Sequence, residues 1–85
     1  MAFNTGTVNV TTSATLILAS NTLQKRRVIK NIGSVTVFIG SNNSVTSSTG
    51  FPLDTNNELQ IGDFNGTIYG ITASSSSDVI FTEDE

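Results

Sequence analysis

Eighty-five residues with no cysteine and no histidine leave room for one domain with a modest core, and they exclude a disulfide framework and the usual zinc sets. A chain of this size buries only about 60% of the surface its unfolded form exposes, so a second copy or a larger partner is the expected source of added stability. With 13% charged residues and a net charge of −3, the composition is neither that of a charge-rich disordered chain nor that of a polyanion binder.

The apolar residues gather in short β-branched runs separated by turn formers, and nowhere do they keep a helical period. Met1 to Gly6 lacks the positive start and apolar stretch of a signal peptide, and Phe3 stands on an otherwise polar end. We read residues 1–6 as an N-terminal arm able to swap onto a neighbour. Thr5 to Val10 alternates Thr7 and Asn9 against Val8 and Val10, the period of a strand with one wet face. Ala14 to Ala19 is a second strand, and its run Leu16 to Ala19 is far too short to cross a bilayer.

All four basic residues fall within Lys25-Arg26-Arg27-Val28-Ile29-Lys30, a third strand that leads through Asn31-Ile32-Gly33-Ser34 into Val35 to Gly40. Alternation sends Arg26, Val28 and Lys30 to one face and Lys25, Arg27 and Ile29 to the other. The cluster is therefore two small basic edges able to reach two neighbours, with no broad patch for phosphates. In the next strand Val35, Val37 and Ile39 share a face, which leaves Phe38 in need of cover from a second sheet or another chain.

Ser41 to Gly50 is too polar for core and too long for a tight hairpin, so it is a surface loop with room for a short strand at Val45. Gly50-Phe51-Pro52-Leu53 carries the lone proline, which places it at a sheet edge or between sheets, with Phe51 and Leu53 pointing inward as plugs. Asp54 to Asn57 is a turn, Glu58 to Ile61 a strand, and Asn65-Gly66 a strong hairpin dipeptide. Thr67 to Ala73 and Val79 to Thr82 close the pattern, and residues 83–85 form an acidic tail expected to fray. The whole of 1–85 reads as a single all-β domain. Seven to eight short strands indicate a small antiparallel β-sandwich or barrel, jelly-roll-like.

Chemistry is scarce. Nucleophilic triads usually take histidine as base, and a Ser-Lys pair would arise here by chance among so many serines. Asp54, Glu58 and Asp63 could be paired carboxylates, but Asp54 and Asp63 sit where a side-chain oxygen caps a turn. Asp54, Asn56 and Glu58 lack the acidic density of a calcium loop, and Gly62 to Gly66 has neither the lysine nor the helix of a phosphate loop. We therefore expect no enzyme, no cofactor and no metal. For the basic strand three readings stay open: pairing with acids such as Glu58, Asp63 and Asp78, docking on an acidic protein, or contact with nucleic acid. The net charge and the lack of interleaved aromatics weigh against the last.

The pattern Arg26-Arg27-Val28-Ile29-Lys30-Asn31, followed by Gly33-Ser34, Phe38-Ile39-Gly40, Ser48-Thr49-Gly50-Phe51-Pro52-Leu53 and Tyr69 to Ala73, resembles small virion β-proteins of tailed bacteriophages. These include capsid decoration, or cement, proteins and head-fibre modules. The resemblance covers about Arg26 to Phe81 and consists of strand and turn patterns without a chemical signature. It implies a non-enzymatic sandwich on the capsid exterior, made in the host cytoplasm, bound to the major capsid protein and often oligomeric, with a trimer favoured over a dimer. Nucleic acid and membrane are not implied as partners. On that reading Phe3, Lys25, Arg26, Arg27, Lys30 and Phe38 are the candidate partner contacts. The alternative is a receptor- or carbohydrate-binding module of a fibre or adhesin.

Overall fold

The computed structural model describes residues 3–20, 26–62 and 66–84. Its strands, in chain order, are β1 (Phe3–Val10), β2 (Thr15–Leu18), β3 (Arg26–Asn31), β4 (Val37–Gly40), β5 (Phe51–Leu53), β6 (Glu58–Ile61), β7 (Ile68–Thr72) and β8 (Ser77–Asp84). All pair antiparallel, and the pairing follows one rule: β1 with β8, β2 with β7, β3 with β6 and β4 with β5. The chain behaves as one long hairpin whose tip is the loop 41–50, rolled so that successive couples alternate between layers. Two further ladders, β3 with β8 and β4 with β7, complete the four-stranded sheets β1-β8-β3-β6 and β2-β7-β4-β5. This connectivity is that of a jelly roll.

Alternation decides what each sheet contributes inside. Val10, Ile29 and Val79 come from the first sheet, and Ile17, Leu18, Val37, Ile39, Leu53 and Ile68 from the second, with Val8, Leu59, Ile61 and Phe81 packed around them. The phenylalanine ring of Phe81 lies where a side chain at Gly6 would stand, 2.8 Å from that position, so β1 can approach β8's ring only through a glycine.

Of the expected arm 1–6, residues 3–6 are paired in β1, with Gly6 opposite Phe81 and Phe3 opposite Asp84, and residues 1 and 2 lie outside the described residues. Of the acidic end 83–85, Glu83 is held in β8 between Asn4 and Arg27 and the strand runs to Asp84, while Glu85 lies outside the described residues. The connection from β3 to β4, and that from β6 to β7, each crosses from one sheet to the other, so neither closes a hairpin. Val45 lies in a turn segment. Its side chain is 7% exposed and fills the space left by Gly40 and Gly50, which folds loop 41–50 back on the second sheet. Phe51 is 58% exposed while Leu53 is buried. β5 is an edge strand of three residues, and the core has cover for only one of its two inward positions.

The two sheets are joined at one end by Asn31, which is fully buried at the end of β3. Its Nδ2 donates to the carbonyls of Val35 (2.8 Å) and Leu53 (2.9 Å), and its Oδ1 accepts from the Gly33 amide (3.0 Å) and the Ser77 hydroxyl (2.8 Å). Every valence of the amide side chain is thus filled. The backbone adds a second pair: the Asn31 amide donates to Asn57 (3.1 Å) and its carbonyl accepts from Asn56 (2.7 Å). Asn56 adopts φ 68°, a conformation asparagine tolerates better than most residues. Gly33 is required for the same junction, because a Cβ there would lie 1.9 Å from the Ser77 hydroxyl.

Asn31→Ala strands two buried acceptors and two donors at once, and it should destabilise the protein by about 3 kcal/mol or more. Ser77→Ala removes one bond and should cost about 1 kcal/mol. Urea denaturation of both variants checks the difference.

Candidate functional site

In β3 the inward positions are Arg27, Ile29 and Asn31, and the outward ones Arg26, Val28 and Lys30. For the described residues the face assignment made from alternation holds, but one of the two faces is the interior. Arg27 is 0% exposed, so its guanidinium is spent inside the chain and is not presented to a partner. It donates to the carbonyls of Ala19 and Gly66 (2.6 Å for the latter), and its Nε lies 3.8 Å from the Glu83 carboxylate. Burial lowers the Arg27 pKa from its ordinary value, opposed by the charge and hydrogen bond of Glu83. The guanidinium ties the Ala19 and Gly66 connections to β8, at the opposite end of β3 from Asn31.

The remaining candidate contacts scatter. Lys25 lies outside the described residues, and Phe3 starts the edge strand β1. Arg26 and Lys30 are exposed on the outer face of the first sheet, opposite Asp84 and Glu58 respectively. Around them stand Thr5, Thr7, Asn9, Asp78, Ile80, Thr82 and Gln60, with Asn9 donating to Asp78 at 2.8 Å. This face is polar and mixed in charge. Phe38 lies on the outer face of the other sheet, so it shares no patch with Arg26 and Lys30.

The outer face of the second sheet has the contrary chemistry. Its outward positions are Leu16 on β2, Tyr69 and Ile71 on β7, Phe38 on β4 and Pro52 on β5. Leu16 stands opposite Tyr69, and Phe38 stands opposite both Ile71 and Pro52. An apolar band therefore crosses all four strands. Leu16 is 44% exposed, Pro52 is exposed, and Phe38, Tyr69 and Ile71 are half-buried. Loop 41–50 covers one flank of the band through Val45. On the other flank Phe38 borders an open cleft of ≈ 580 Å³ with Thr36 and Asp54, whose side chains are hydrogen bonded at 2.8 Å. A second open cleft, ≈ 650 Å³, lies at the edge of the sandwich and is lined by Phe51, Lys30, Asn56, Asn57 and Glu58.

Sequence reasoning named Phe38 as needing cover but missed the rest of the band. The signal was present: Tyr69-Gly70-Ile71 and Val37-Phe38-Ile39 are apolar at consecutive positions, which marks strands apolar on both faces. Among the described residues no group of three or more acidic side chains gathers at metal-binding distance, and Asp63 lies outside them. No family model matches the chain, and neither a curated protein nor a solved structure matches it.

The two adjacent arginines should separate sharply on substitution. Arg27→Ala leaves the Glu83 carboxylate and two carbonyls without their partner and should cost about 3 kcal/mol in urea denaturation. Arg26→Ala, on the solvent face, should stay within about 0.5 kcal/mol of the parent.

Proposed function

We propose that this chain is a non-enzymatic structural protein of a tailed-phage particle, which binds the outside of the capsid and ties neighbouring copies of the major capsid protein together. The observation that carries this reading is the apolar band Leu16, Tyr69, Ile71, Phe38 and Pro52 on the outer face of the second sheet. A small domain with one half-exposed apolar face and one polar face is suited to rest on a larger surface while showing water its other side. The resemblance of the strand and turn pattern to decoration proteins suggests the kind of surface. Many copies bound in this way resist expansion, because neighbouring contacts must break together. The working place of the protein is then the capsid exterior, reached after synthesis in the host cytoplasm.

A second reading, a carbohydrate-binding module, has one observation in its favour. Phe51 is 58% exposed in a cleft with Asn56, Asn57, Glu58 and Lys30, an aromatic face beside amide and charged groups such as sugars engage. Glycan binding lost in Phe51→Ala would favour it.

For decoration, purified shells lacking the protein provide the assay. Leu16→Glu places a charge on the band at an exposed position and should lower affinity for the shell about tenfold or more, with the melting temperature little changed. Lys30→Glu, on the opposite face, should change it less. Undiminished occupancy by Leu16→Glu would overturn the assignment of this face.

A further inference from the structure

A two-sheet sandwich has four edges, and here they differ in how they are closed to other chains. β2 is four residues long with a register irregularity between Leu16 and Leu18. β5 is three residues long and contains Pro52, and β6 is four residues long and begins with the exposed Glu58. Shortness, irregularity, proline and charge are the devices by which proteins keep edges from pairing. β1 has none of them. It is eight residues, Phe-Asn-Thr-Gly-Thr-Val-Asn-Val, without charge or proline, in unbroken register with β8 from Phe3 to Val10. Among the described residues no strand pairs with its other side, so alternate backbone amides and carbonyls along it face outward.

The side chains at this edge are also incompletely covered. Val8 points inward yet is only half-buried, and Phe81 is half-buried over Gly6. The outward residues Thr5, Thr7 and Asn9 are small, neutral and exposed.

We propose that β1 is the interface to a second copy of this chain, the two β1 strands pairing antiparallel about a two-fold axis to make one continuous eight-stranded sheet. Self-pairing of a neutral strand sets no like charges opposite one another, which is the usual penalty of such an arrangement. With Thr7 on the axis, Thr5 stands opposite Asn9 of the partner subunit, and Gly6 opposite the partner's Val8. Outward residues then meet outward ones, as face matching requires. The added strand would cover Val8 and complete the hydrogen bonding of β1. A two-fold pair replaces the trimer that the resemblance to decoration proteins implies, and it stands independently of what the apolar band binds.

Sedimentation of the full chain tests this. The parent should be a dimer. Thr5→Lys with Thr7→Lys, and separately Thr5→Glu with Thr7→Glu, should each raise the dimer dissociation constant about tenfold or more by like-charge opposition. Mixing the two variants should restore a heterodimer, an outcome that a folding defect would not give. A monomeric or trimeric parent, or a dimer unaffected by both charge variants, would overturn the proposal.

Discussion

The amide of Asn31 is the constraint on which the rest of the molecule depends. A jelly roll this small must turn β3 into β4 across the gap between sheets within a few residues, and the turning backbone has no ladder to satisfy it. Asn31 supplies the missing partners from one side chain. It holds Val35 at the entry to β4, Leu53 at the end of β5, Gly33 within the turn and Ser77 at the start of β8. Strands of both sheets and the crossover between them are thereby fixed to a single buried group. Arg27 does comparable work at the other end of the same strand, joining Ala19, Gly66 and Glu83. Two polar inward residues on β3, with Ile29 between them, fasten both ends of a core that has little apolar area to spend.

That arrangement changes what is left for recognition. With Arg27 drawn inside, the exposed cations described on β3 are Arg26 and Lys30, both on one face and each opposite an acidic position. Among the described residues, the inward face of β3 therefore offers no cation to a second neighbour. What distinguishes its surfaces is instead apolar area on the second sheet and an unblocked backbone edge on the first. The two proposed contacts would depend on shape and burial more than on charge, so binding at either should be only weakly sensitive to salt.

The all-β architecture was legible because strand periodicity and turn chemistry are local. Thr5 to Val10 and Glu58 to Ile61 could be read almost to their ends, and Pro52 narrowed its segment to an edge or a crossing, of which the fold uses the edge. Which face of β3 is interior was not legible, because Val28 and Ile29 are equally apolar and a cation stands beside each. The Asn31 junction was still less so, since its partners lie up to 46 residues away in the chain. Phe51 misled for a related reason: alternation gives its direction, but whether the facing sheet extends far enough to cover it is a tertiary fact. The apolar band was half legible, in that Phe38 announced an uncovered outer face while its neighbours Leu16, Ile71 and Pro52 come together only through strand order.

The most direct test of the junction is native-state hydrogen exchange at the amides it holds outside regular strand. Gly33 donates to the Asn31 side chain and Asn56 to its carbonyl, and both lie in connections that would ordinarily exchange quickly. If Asn31 locks the two sheets, these amides should exchange as slowly as those of Ile29 and Val79 in the core strands. Exchange of Gly33 and Asn56 at the rate of freely exposed amides, with the core strands still protected, would contradict the role given to Asn31.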